Sequence, residues 1–174
     1  MCGRVVGAMF CASLLLAALC VSAGGQTTDT AELFGRVERT FREKEPKWKI
    51  ESAGVSGEPN VPTQNIVFRS GRNQASVQLT VWHKAEVARD AFAGGAIATS
   101  NIRGKGGVRR RLPDLGDEAY IWTTRGSGAW PLLKFRVGNA LVLVFAPTTA
   151  TAIRFARHVE GQILKPETAP SREE

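Results

Sequence analysis

Apolar side chains recur at helical spacing at Leu33, Phe34, Val37 and Phe41, with Glu32, Arg36, Glu38, Arg39 and Arg42 on the other side. One apolar stripe of this kind predicts an amphipathic helix. Asp29 followed by Glu32 makes a capping box at its start, and Pro46 stops it near Glu45. From Trp48 the period changes to two. Trp48, Ile50 and Ser52 alternate with Lys47, Lys49 and Glu51, which predicts a strand with one buried face. Gly, Pro and Asn between residues 54 and 63 predict a loop. Ile66-Val67-Phe68 then resumes extended chain, and Ser70-Gly71-Arg72-Asn73 has turn chemistry. Ala75, Val77, Leu79 and Val81 alternate with Gln74, Ser76, Gln78 and Thr80, so the two segments read as a hairpin with one wet face.

Residues 84–100 predict a second helix with Ala85, Ala88 and Phe92 inward. Gly94-Gly95 ends or kinks it, since each glycine costs about 1 kcal/mol relative to alanine. Residues 101–107 are glycine-rich loop, 108–112 a strand, and Pro113-Asp114-Leu115-Gly116-Asp117 a turn in which Gly116 takes a positive φ. Residues 119–124 are β-rich, and residues 125–128 turn the chain again. Leu133, Phe135 and Val137 alternate with Lys134 and Arg136. Gly138-Asn139 joins them to Leu141-Val142-Leu143-Val144-Phe145 as a hairpin. That last strand is apolar on both faces, which places it centrally in a sheet. A final helix opens on Pro147-Thr148-Thr149 with a threonine cap. Ile153, Ala156, Val159 and Ile163 line one side, Arg154, Arg157, His158 and Glu160 face solvent, and Pro166 ends it. The order α-β(2-3)-α-β(3-4)-α lacks regular β–α alternation. It predicts an α+β fold, a mainly antiparallel sheet packed with helices.

The N-terminus changes the picture of where this domain works. Arg4 precedes an uncharged stretch from Val5 to Val21 that ends in Val21-Ser22-Ala23, the pattern of a cleavable secretory signal. The expected organisation is a signal peptide at 1–23, a lead-in at 24–28, one globular domain at 29–164 and a polar tail at 165–174. The expected localisation is secreted or periplasmic. The apolar run falls short of the roughly 20 residues that span a bilayer, so no membrane span is expected after cleavage. Cys2, Cys11 and Cys20 all lie in the leader, which leaves a mature domain without disulfides or thiol chemistry. Cys20 follows Leu19 and Cys11 follows Phe10, so neither has the small residue before it that lipidation needs. The formal net charge is +7, of which Arg4 supplies one. An excess of this size favours anionic neighbours and also keeps a domain soluble.

The stretch Leu115-Gly116-Asp117-Glu118-Ala119-Tyr120, with Arg136-Val137-Gly138-Asn139, a hydrophobic strand and a closing helix, resembles small exported bacterial domains of unknown function. Some of these are similar to the α/β/α sandwich of the photosystem II extrinsic (PsbP-like) proteins. The likeness spans residues 110–164. It implies a fold and an envelope setting, and it carries over no catalytic residue and no cofactor.

Candidate chemistry is sparse. Arg103, Lys105, Arg109, Arg110 and Arg111 gather around Gly104 and Gly106-Gly107, where a pliant backbone and guanidinium forks suit phosphate or an anionic polymer. The Gly-Lys pair is followed by Gly106 rather than Ser or Thr, so this is no P-loop. A strand over 108–112 would put Arg109 and Arg111 on one face and Arg110 on the other. The competing reading is a charged edge strand that blocks aggregation. His83 and His158 show neither metal-ligand spacing nor a partnered nucleophile. Asp114, Asp117 and Glu118 read as turn chemistry, and Gly126-Ser127-Gly128 lies between two strands, where a nucleophile elbow does not occur. Trp82 falls on the polar side of its strand unless a helix covers it, which makes it the candidate ligand-contact aromatic. The expected role is an exported non-catalytic binding or accessory module of the envelope, engaging a protein or a small ligand, with no metal or cofactor. The alternatives are an anion binder through residues 103–111 and an enzyme of unrecognised type.

Overall fold

The computed structural model describes residues 30–94, 107–123 and 130–165. The leader, Asp29, the far end of the second predicted helix, the loop with Arg103 and Lys105, the 125–128 turn and the tail beyond Lys165 lie outside the described residues.

The described chain is α+β. Three helices, α1 (Thr30–Lys44), α2 (Ala85–Gly94) and α3 (Thr149–Ile163), pack on seven strands. These are β1 (Lys49–Ser56), β2 (Thr63–Ser70), β3 (Asn73–Val81), β4 (Val108–Arg111), β5 (Glu118–Thr123), β6 (Leu132–Val137) and β7 (Ala140–Phe145). They form one sheet in the order β1-β2-β3-β7-β6-β5-β4, and every neighbouring pair is antiparallel. Two meanders, β1 to β3 and β4 to β7, thus meet along the β3–β7 seam, where Val77 stands opposite Val144 and Leu79 opposite Val142. As its doubly apolar sequence predicts, β7 is the central strand.

The main core lies between one sheet face and α1 with α3. Leu33, Phe34, Val37 and Phe41 of α1 are all buried, as are Ala75, Val77, Leu79 and Val81 of β3. Phe41, Phe68 and Phe155 meet with ring centroids 4.6–5.1 Å apart, and Trp48 lies edge-on to Phe155 at 5.5 Å. Aromatic contacts at these separations add to the area they bury. Thr148 caps α3 by accepting from the Thr151 amide at 3.1 Å. The apolar face of α3 is Ala152, Phe155, Ala156 and Val159, with Ile153 and Ile163 at its margins.

Two sequence expectations are corrected. β1 continues to Ser56, into the first three residues of the predicted loop, and most of it is exposed. An edge strand needs only its neighbour's ladder, which β2 supplies. His158 and Glu160 do not face solvent freely, because His158 Nε2 bonds Glu45 and Glu160 accepts from Gly116. Lys134 and Arg136, on the polar stripe of β6, are only 3% and 5% exposed. They sit on the second sheet face, which α2 covers over β6 and β7.

Candidate functional site

A cleft of about 470 Å³ opens at one end of the sheet, where β3 leaves for α2 and the β6–β7 hairpin turns. Trp82, His83 and Lys84 form one side, Gly138 and Asn139 another, and Pro59 and Pro62 of the β1–β2 connection a third. Val81, Val137 and Ile163 supply its apolar floor. A concave mixed surface of this size suits a small ligand with an apolar body and a polar end.

A chain of local bonds holds this end of the sheet rigid. Gly116 adopts φ +57°, as turn chemistry predicts, and brings its backbone against the Arg136 carbonyl. The Asp117 amide donates to that carbonyl at 2.8 Å, and the Asp117 carboxylate accepts from the Gly138 amide at 2.8 Å. Arg136 Nη1 also reaches Asp117 at 2.8 Å and donates to the Gly138 carbonyl at 2.8 Å, while its Nη2 lies 3.4 Å from Glu118. Glu160 of α3 accepts from the Gly116 amide at 2.6 Å. Asn139 then exchanges two bonds with Trp82, its carbonyl accepting at 2.9 Å and its amide group donating at 2.6 Å. Trp82 is therefore fixed by its backbone, and its ring is half-buried in the cleft wall. Its indole N–H is buried and has no acceptor among the described residues. Such a donor is costly unless something answers it.

The arginine candidates lie elsewhere, on the sheet's far edge. Arg109, Arg110 and Arg111 are exposed on β4, and the expected split holds. Arg109 stands opposite Trp122 and its guanidinium lies over the Tyr120 ring, 3.5 Å from the centroid, and 5.5 Å from Trp122. Arg110 stands opposite Ile121 and belongs to the other face. Tyr120 stacks on Phe92 of α2 at 6.0 Å, and Lys134 Nζ lies 4.8 Å over Phe92 while donating to the Phe92 carbonyl at 2.7 Å and the Ala91 carbonyl at 3.3 Å. Burial first, and the Arg109 charge second, hold the Lys134 ammonium below the ordinary lysine pKa. Arg103 and Lys105 lie outside the described residues.

The remaining candidates have structural partners. Glu45, almost fully buried, accepts from Arg154 Nε at 2.6 Å and bonds His158 Nε2 at 2.9 Å, tying the end of α1 to α3. Asp114 is exposed, Asp117 and Glu118 face Arg136, and His83 is exposed at the cleft rim. Among the described residues no three His, Cys, Asp or Glu side chains are placed to hold a metal, and no helix is long and apolar enough to cross a membrane. Sequence reasoning singled out Trp82 but missed Asn139 and Arg136. Both fall in the Arg136-Val137-Gly138-Asn139 stretch of the resemblance, and their signals were the Gly-Asn turn and a charged residue alternating with apolar ones.

No family model matches the chain, and no curated protein matches it. Among solved structures it is similar to a GTP-binding regulator from Thermotoga maritima, with 14% identity over 74% of this chain and 85% of that one and a TM-score of 0.44. A likeness that distant has no bearing on function.

Proposed function

We propose that this chain is an exported, non-catalytic binding or accessory module of the cell envelope whose small ligand occupies the Trp82 cleft. The N-terminal pattern of charge, apolar stretch and small residues supports export. The observation that carries the binding reading is the buried indole N–H of Trp82, without an acceptor among the described residues, on a residue that lines a 470 Å³ cleft. A small turn of the half-buried ring would bring it to a ligand acceptor, and Lys84 and His83 at the rim favour an acceptor that carries negative charge. The commitment of Asp117, Glu118 and His158 to structural partners speaks for binding over acid–base chemistry.

The test uses anilinonaphthalene sulfonate, a probe with an apolar ring system and one anionic group. Its fluorescence is expected to report one saturable site. Trp82→Phe, which keeps a ring and removes the N–H, weakens that site several-fold, and Lys84→Ala weakens it further. Trp130→Phe, at an exposed position outside the cleft lining, leaves it unchanged. An absent saturable site, or one indifferent to Trp82, refutes the reading.

A further inference from the structure

We propose that the outer edge of β4 takes up an extended acidic segment of another protein as an added strand, read by Arg109, Arg110 and Arg111. Among the described residues β4 pairs on one side only, with β5, and ends the sheet. The Leu112 amide donates to the Ala119 carbonyl at 3.0 Å. In an antiparallel ladder successive residues point their backbone groups to opposite sides. Arg110 therefore shares the β5 side with Leu112, while Arg109 and Arg111 present amide and carbonyl groups outward. A strand laid along this edge finds a ladder ready to extend, the arrangement used in recognition by strand addition.

The side chains define which strand fits. Arg109, Arg110 and Arg111 are three consecutive arginines without a carboxylate partner among the described residues; Arg39, Arg72 and Arg89 also lack one but stand singly, and Arg36, Arg42, Arg69, Arg136, Arg154 and Arg157 each hold one. Arg109 lies over the Tyr120 ring, 3.5 Å from its centroid, and such a contact with the face of a guanidinium still allows its N–H rim to meet an oxyanion. The three guanidiniums divide between the two sheet faces, so they match a segment with carboxylates on both of its own faces. A linear polyanion without an extended peptide ladder would meet them on one face alone. A second copy of this chain is the wrong partner, because β4 against β4 sets arginine against arginine. The charge that prevents self-pairing therefore selects an acidic one.

The probe is a dye-labelled peptide of six glutamates flanked by threonines, followed by fluorescence anisotropy on the full chain. It is expected to bind, with affinity falling as salt is added. The same peptide N-methylated at alternate residues keeps its charge, loses the ladder donors and binds about tenfold more weakly. Replacing Arg109, Arg110 and Arg111 together by alanine abolishes binding, while Arg72→Ala, at an exposed turn arginine also without an ion pair among the described residues, leaves it intact. Equal binding of the two peptides, or polyphosphate competing as well as the peptide at equal charge, overturns strand addition. So does an equal loss in Arg72→Ala. The cleft reading is untouched by any of these results, because β4 contributes no residue to the cleft.

Discussion

Replacing Gly116 by alanine tests whether the turn beside the cleft is held by conformation alone or by close packing. Gly116, Gly71 and Gly138 share nearly the same positive φ, +57°, +60° and +56°. An L-residue there costs about 1–2 kcal/mol at any of the three. They differ in space. A Cβ on Gly71 or Gly138 meets nothing within 4 Å, whereas on Gly116 it would stand 2.4 Å from the Arg136 carbonyl oxygen. That oxygen must retreat by roughly 0.6 Å or more to reach even the closest ordinary contact. It is also the acceptor for the Asp117 amide, and the Gly116 amide itself donates to Glu160. Straining the first bond removes about 1 kcal/mol, and the charge-assisted second is worth about 1.5–3 kcal/mol if it goes as well. Gly71→Ala is thus expected to destabilise by about 1–2 kcal/mol, and Gly116→Ala by about 2–3 kcal/mol if only the first bond is strained and about 3.5–6 kcal/mol if the second is lost too. Urea unfolding at constant slope gives both values. Since Asp117 and Arg136 hold Gly138, Gly116→Ala also weakens dye binding in the cleft, and Gly71→Ala does not. Destabilisation by the two variants within about 0.5 kcal/mol of each other would refute the packing argument.

Two further outcomes follow from buried charge. The folded chain holds Lys134 below its ordinary pKa of 10.5, whereas the unfolded chain does not. Between those two values the unfolded state binds more protons, so stability rises with pH through that window and levels off near 10.5. A Lys134→Met variant lacks this rise in pH-dependent urea unfolding, and Arg109→Ala moves the Lys134 titration upward in its side-chain NMR signals. A Lys134 titration unmoved by Arg109→Ala removes the electrostatic link between them. Glu45 is buried, but Arg154 is about half-exposed and screened by water. The double-mutant cycle Glu45→Gln with Arg154→Met is therefore expected to give a coupling of about 1 kcal/mol in thermal or urea unfolding, and a value near zero contradicts the tie.

Local chemistry made much of the fold legible. The stripe of Leu33, Phe34, Val37 and Phe41, the alternation in β3, the cap at Thr148 and the glycines at 71, 116 and 138 each act within a few residues of themselves. What they form can be read from neighbours in sequence. The burial of Lys134 and Arg136 was not legible, for the opposite reason. Alternation assigns them to a face of β6, but only the placement of α2 and of the Gly116–Glu118 turn decides that this face is buried. β1 misled at Gly54, where composition favours a loop and a neighbouring ladder overrules it.

The candidate sites show the same division. The sequence alone determined that Trp82 stands at a strand end on its polar side, and that Arg109 and Arg111 part from Arg110. A period of two decides which side chains share a face. Tertiary structure decided the rest: that β3 pairs with β7, that Asn139 therefore meets Trp82, that a cleft forms where three connections converge, and that Arg109 lies on Tyr120. Periodicity orients a strand but does not choose its neighbour. That choice belongs to the balance of burial across the whole sheet, in which residues distant along the chain contribute together.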